Sequence, residues 1–152
     1  MKRLLRFFFP AILVYAAFFA LSLQVPAQNA LSSSSKPYLV EWVYRVKYGY
    51  EDEWWKLFHR YQIATLDKEK ELGYVTSYQL FRPGFHTSED SRWDYRVVIA
   101  YKDQASATHG GEVEKSLFPD AESRKKDENR RWELTANHWD LPIREVDPHN
   151  AE

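Results

Sequence analysis

Four stretches of alternating residues, separated by two stretches at helical spacing, limit what this 152-residue chain can fold into. The first runs from Tyr38 to Tyr48, with Val40, Trp42, Tyr44, Val46 and Tyr48 on one side and Leu39, Glu41, Val43, Arg45 and Lys47 on the other. A period of two marks a strand. Gly49 ends it, and Glu51-Asp52-Glu53 put three carboxylates where the positive end of a helix dipole lies. Trp54, Leu57, Phe58, Tyr61, Ala64 and Leu66 then recur at steps of three and four, which predicts a helix down to Leu72 with Gly73 as its stop. Tyr74, Thr76, Tyr78 and Leu80 oppose Val75, Ser77, Gln79 and Phe81 in a second strand, broken by Pro83-Gly84. After an exposed connection from Phe85 to Arg92, Trp93, Tyr95, Val97, Ile99 and Tyr101 alternate with Asp94, Arg96, Val98 and Ala100 as a third.

Asp103 can cap a following helix. Gly110-Gly111 and Pro119 break the next region, and a strongly charged helix runs from Asp120 to about Leu134. Its mixed signs, with Arg124-Lys125-Lys126 between Glu122 and Asp127-Glu128, read as a solvated face. A fourth strand lies within Thr135–Val146, and Pro142 places it at an edge or a bulge. The order is strand, helix, strand, strand, helix, strand: a split βαβ arrangement, α+β in class, with a four-stranded antiparallel sheet and both helices on one face. The other face then shows Val43, Val98 and Ala100 beside Glu41, Arg45, Asp94 and Arg96. It is too apolar to stay wet and too polar for an ordinary core, and a second copy of the chain is the simplest cover.

The beginning of the chain differs from the rest. Lys2, Arg3 and Arg6 precede an uncharged run from Phe7 to Leu23, and Val25-Pro26-Ala27 offers small or medium residues at the positions a signal peptidase reads. Residues 1–27 are expected to be a secretory signal peptide cleaved after Ala27; retained, the run would be a membrane anchor. Residues 28–37, with Ser32 to Ser35, read as a flexible leader, 38–147 as the folded domain and 148–152 as a tail. The absence of Cys rules out a disulfide scaffold and fits a bacterial periplasm or the extracellular space. A formal charge of -1, made more acidic by loss of the three basic residues at the start, argues against nucleic acid as a partner.

Val40-Glu41-Trp42-Val43-Tyr44-Arg45-Val46, the following Gly49 with its acidic helix start, and the Tyr101-Lys102-Asp103 junction together resemble the dimeric α+β barrel superfamily, over about Tyr38 to Val146. That superfamily includes antibiotic-biosynthesis monooxygenase-like and stress-responsive barrel proteins. The resemblance implies a ferredoxin-like βαββαβ domain that pairs into a homodimeric barrel, with a ligand in the barrel interior or between helix and sheet. Haem-degrading members use an Asn on the first strand; residues 39–47 contain none, so that activity does not carry over. Fold alone does not fix function.

Several side chains could carry chemistry. His59 on the first helix is either a surface histidine or a general base in a cleft, and Tyr61 on the apolar stripe is either core or a hydroxyl presented to the same cleft. Arg45, Arg96, Asp94 and Glu41 share a face of neighbouring strands. They either pair across the sheet or leave an arginine to grip an anionic ligand, depending on whether each arginine finds its acid within the protein. His138 and Asp140 lie two apart on one side of the last strand, as a metal-binding or base-orienting pair without a third ligand at fixed spacing. His86 could reach over a cavity mouth; His109 and His149 are less constrained. No nucleophile motif, phosphate loop or dinucleotide fingerprint is present. The expectation is an exported homodimer that binds a small apolar or aromatic molecule, without a predicted cofactor or metal. Any chemistry would be cofactor-independent oxygenase or isomerase chemistry, with His59, then His138 or His86, as base and Arg45 or Tyr61 steadying an oxyanion. The alternative is a non-catalytic envelope protein whose aromatic sheet face only forms the dimer.

Overall fold

The structure, a computed structural model, describes residues 36–150. The expected signal peptide, nearly all of the leader and the end of the tail lie outside the described residues. Strand β1 (Tyr38–Val46) leads through Gly49 to α1 (Glu51–Phe58), a π-helical turn (His59–Ile63) and α2 (Ala64–Glu71). Strands β2 (Val75–Phe81) and β3 (Tyr95–Tyr101) follow, then α3 (Gly110–Leu117), α4 (Ala121–Leu134) and β4 (Thr135–Ile143). The four strands form one antiparallel sheet in the order β2-β3-β1-β4. This is the expected split βαβ topology, and it puts Pro142 on an edge strand opposite Val40. Among the described residues no helix is long and apolar enough to cross a membrane.

Side chains sort by strand parity as the alternation predicts. Tyr44 and Val46 from β1, and Tyr95, Val97, Ile99 and Tyr101 from β3, are buried together with Trp54, Phe58, Ile63, Leu66, Val75 and Leu134. Trp54 is the centre of this layer. Its ring stacks on Phe58 at 4.7 Å and Tyr95 at 4.8 Å, and tilts against Tyr44 at 5.0 Å. Its Nε1 donates to Thr135 Oγ1 at 2.9 Å, and that hydroxyl donates to the Arg131 carbonyl at 2.8 Å. One side chain thus joins α1 to the sheet and to the point where α4 becomes β4.

The long helical run departs from its expected phasing. The core steps five residues from Phe58 to Ile63, across the π turn, where a regular helix would step three or four. Tyr61 therefore leaves the core stripe for the flank, where it meets α4. Gly110-Gly111, expected as a break, instead opens α3, which follows a short 3-10 turn (Ser106–Thr108) capped by Asp103. A Cβ on Gly110 would sit 3.4 Å from Glu69 Oε1, so the small residue lets α3 close over that carboxyl. Pro119 does separate α3 from α4, whose first turn is capped by Asp120 accepting from the Glu122 and Ser123 amides. Gly73, at φ +79°, ends α2 in the left-handed conformation that favours glycine.

Among the described residues no helix covers the opposite sheet face. Val43 is nevertheless fully buried there, between Arg96 on β3 and Trp139 on β4, while Phe81, Leu141 and Ile143 remain exposed. The charges on this face pair only in part as expected. Arg96 meets Glu41 at 3.6 Å across the sheet. Arg45 takes Glu89 of the β2–β3 connection at 3.5 Å, and Asp94 pairs with Arg92 at 3.0 Å while accepting from the Val46 amide at 2.7 Å.

Two stability measurements follow from this packing. Trp54→Ala removes the ring that fills the centre of the core and is expected to cost about 3–5 kcal/mol in urea denaturation. Trp54→Phe, which keeps most of the packing and loses the indole donor, should cost about 1–2 kcal/mol. Glu69 gives a pH signature. Burial pushes its carboxyl up from 4.5 to about 7, so the folded chain holds a proton that the unfolded chain has released. Its contribution to stability is complete below pH 4.5, falls as pH rises towards 7, and is level above that. Glu69→Gln should abolish this fall and stabilise the protein at pH 8, by roughly 1–2 kcal/mol after solvent relaxation. An unchanged pH profile of the melting temperature would show that Glu69 ionises freely in the fold.

Candidate functional site

The helix-covered layer contains more polar groups than a core of this size needs. Tyr44, 3% exposed, points from β1 into the layer, with Phe58 at 5.3 Å and the His138 ring stacked on it at 4.1 Å. The stack follows from register, since His138 on β4 lies directly opposite Tyr44. His138 Nδ1 donates to the Val43 carbonyl at 3.0 Å, and Nε2 lies 3.0 Å from Asp140 Oδ1. Trp132, at the end of α4, tilts over the same imidazole at 5.2 Å.

Electrostatics tie this group to residues further along the layer. Burial pushes the Tyr44 hydroxyl far above the usual phenol range; the Arg131 guanidinium beside it pulls the other way, and Asp140 and Tyr101 add to the rise. Tyr101 is raised by burial first, then by Glu69 and Asp140. Both phenols therefore stay protonated. Glu69, 2% exposed, and Thr65, one turn before it on α2, complete the polar lining. Among the described residues, five buried side-chain atoms have no hydrogen-bond partner. Thr65 Oγ1, Glu69 Oε1 and Arg131 Nη1 belong to the helices; Arg45 Nε and Arg96 Nε belong to the open sheet face. Buried polar groups are nearly always satisfied, by protein, ordered water or a bound group, so each of these atoms stands out in the fold.

Of the residues singled out in the sequence, the structure brings His138 and Asp140 into this group. His59 is solvent-exposed on the π turn, its ring 5.7 Å from Trp55. Tyr61 is buried between the helices, donating to Asp127 Oδ2 at 2.8 Å and packed on Phe118 at 4.7 Å. Arg45 is held at the open sheet face by Glu89. His86 is exposed and lines a surface groove of about 400 Å³ with Tyr48, Arg92 and Trp93. His109 stacks on Tyr74 at 4.2 Å, and the exposed His149 donates its amide to Asp147. His138 and Asp140 are the only two members of their potential metal set: among the described residues no three His, Cys, Asp or Glu side chains converge.

Sequence reasoning did not single out Glu69 and Arg131. Both sit in charged stretches, and only position marks them. Thr65 and Glu69 are four apart, beside the core residue Leu66. Arg124, Asp127, Arg131 and Leu134 follow steps of three, four and three, a helical stripe whose inward residues are mostly charged. The reading of this helix as a solvated face is therefore only half right, because a hydrophobic period cannot reveal a polar inner stripe.

No protein-family model and no curated protein matches the sequence. Solved structures do match. A dimeric ferredoxin-like protein from an uncultured marine organism aligns over 75% of this chain and 94% of its own, with 8% identity and a TM-score of 0.54. A DABB-family protein with a ferredoxin-like fold from Mesorhizobium loti covers 74% and 99%, with 13% identity and a TM-score of 0.44. SnoaB, a cofactor-independent oxygenase from Streptomyces nogalater, covers 72% and 94%, with 14% identity and a TM-score of 0.41. Likeness at these identities concerns architecture only. The chain has a ferredoxin-like α+β fold.

Proposed function

We propose that this chain is an exported homodimer that binds a small apolar or aromatic molecule in the helix-covered layer of each subunit and acts on it by cofactor-independent oxygenase or isomerase chemistry. The observation that carries the reading is the convergence of buried polar groups with stacked aromatic rings around Tyr44 and His138. Specific small-molecule sites have this composition, apolar walls with a few placed polar groups. Support for pairing comes from the open sheet face, where Phe81, Leu141 and Ile143 are exposed and Arg45 Nε is buried without an acceptor. The marine ferredoxin-like protein of the same fold is described as dimeric. Support for export is the basic start, apolar run and Val25-Pro26-Ala27 pattern, which direct the mature chain to a bacterial periplasm or the extracellular space.

In this reading His138 is the base. Its Nδ1 is anchored on the Val43 carbonyl, which leaves Nε2 towards the β4 edge, where Asp140 orients the ring. Half-exposed Asp140 yields Nε2 to the bound molecule, and Nε2 of the neutral ring takes the proton. Asp140 then pairs with the imidazolium so formed, and the neutral Tyr44 hydroxyl donates to the oxygen on which negative charge develops. His59, exposed on its helix, and Arg45 and Tyr61, each held by an acid, are further from such a role.

The pairing of Arg96 with Glu41 and of Arg45 with Glu89 favours a second reading for the open face, that it only builds the dimer. If the helix layer were equally inert, the protein would be a non-catalytic envelope component. Native mass spectrometry of the protein purified from its own host separates the two. The expected result is a dimer carrying a small molecule, lost in His138→Ala and kept in His59→Ala, with turnover following the same pattern. A dimer free of small molecules in every preparation supports the non-catalytic reading, and a monomer overturns the pairing that both readings share.

A further inference from the structure

Helix α3 is held unevenly along its length. At its C-terminal end Glu114 accepts from Gln62 Nε2 at 3.3 Å and lies 3.7 Å from Arg124, whose Nη1 donates to the Phe118 carbonyl at 2.6 Å. The Phe118 ring packs on Tyr61 at 4.7 Å. Among the described residues the N-terminal end has no such ties. Gly110 and Gly111 offer no side chain, Val113 is the one buried residue of the helix, and His109 before it stacks on Tyr74. A cleft of about 260 Å³ parts α2 from α3 there, between Leu72, Tyr74, His109 and Val113. Under this loose end lies the Glu69 carboxyl, its Oε1 bonded to nothing and 3.4 Å from where a Cβ on Gly110 would be.

We propose that α3 is a flap hinged at its Phe118 end, and that loss of the Glu69 proton lifts its Gly110 end. A neutral carboxyl can lie under the flap at modest cost; once ionised it needs a cation or a donor to offset burial. The groups around it supply neither. No amide in the first turn of α3 reaches Oε1. On α2, Lys68 turns to Glu71 at 2.7 Å, Lys70 is exposed, and the Thr65 hydroxyl lacks a partner of its own. Tyr101 on β3 stays protonated. On the turn before α3, Asp103 is itself an acid and accepts from the Ser106 amide and hydroxyl, each at 2.8 Å. His109 lies 3.7 Å from Glu112 of its own helix. Burial holds the Glu69 proton up to about pH 7, so the flap is closed in acid and opens as pH rises through neutrality. Eight residues are too few to remain helical without docking, so a lifted α3 also loses its internal hydrogen bonds. Opening admits water to Glu69, Thr65 and the Tyr101 end of the helix-covered layer.

The test is amide hydrogen exchange of the whole protein, followed by NMR from about pH 5.5 to about pH 8 and corrected for intrinsic rates. The Glu112 and Val113 amides, both bonded to the His109 carbonyl, report on α3, and the α4 amides report on global unfolding. Protection in α3 is expected to fall about tenfold or more relative to α4 over that range, and to level off once the Glu69 carboxyl resonance has titrated. Glu69→Gln, which cannot ionise, should keep α3 protected throughout. His109→Gln should leave the fall unchanged, although histidines change charge in the same range. Equal α3 protection at both ends of the range in the wild type overturns the flap, as does a parallel loss in α4. A fall that persists in Glu69→Gln, or disappears in His109→Gln, overturns the role of Glu69. Should Glu69→Gln fail to fold, a wild-type fall that continues undiminished after the Glu69 resonance has titrated overturns it equally.

Discussion

A sheet with helices on one side must bury one face with whatever that layer provides, and here the layer is mainly aromatic. Trp54 stacks between Phe58 and Tyr95 and leans on Tyr44, and its single donor reaches the junction of α4 and β4. An aliphatic core of the same volume would have needed no polar partners. Tyrosine brings a hydroxyl inside with each ring, and a buried hydroxyl requires something to bond to. The polar character of the layer thus begins with the choice of residues that fills it. Arg131, Glu69 and His138 stand where those hydroxyls are.

How much of this could be read in the sequence depends on how each element is stabilised. Strands β1 and β3 alternate cleanly because one side of each packs on helices, and β4 showed its edge position through Pro142. The π turn at His59–Ile63 left no mark, since a one-residue change of phase looks like a regular stripe when apolar residues stand on both sides of it. Tyr61 reads from that stripe either as core or as a hydroxyl facing a cleft, and the turn buries it with its hydroxyl on Asp127. The inner face of α4 was hidden by its charges. A period computed on hydrophobicity has no means of distinguishing a solvated arginine from Arg131, which is set inward at the same spacing as Leu134.

The two faces of the sheet handle charge in different ways. On the open face Arg96 and Arg45 each reach a carboxylate, from Glu41 and Glu89, and these pairs are partly exposed, so their energetic weight is small. What the face lacks is cover for Phe81, Leu141 and Ile143. A surface of neutralised charges and exposed apolar side chains is suited to another surface of the same kind. The helix layer has the opposite balance, with its apolar area buried and some of its buried polar atoms left without a hydrogen-bond partner.

Within that layer the buried ionisable groups differ in how they bear their burial. Tyr44 and Tyr101 avoid the cost by remaining protonated, and Glu69 does so up to about pH 7 by holding its proton. Asp140 keeps half its surface in water and has His138 beside it. Arg131 has none of these routes, because its charge is permanent and its carboxylate partners are absent among the described residues. The two phenols, and Glu69 below about pH 7, thus bring no negative charge to offset this cation. A fold that needed Arg131 only for packing could have used methionine or leucine at the same volume with less strain. What the chain does set beside Arg131 is the Tyr44 hydroxyl and the face of the Trp132 ring, so its burial is offset by a phenol and a cation–π contact and not by a carboxylate.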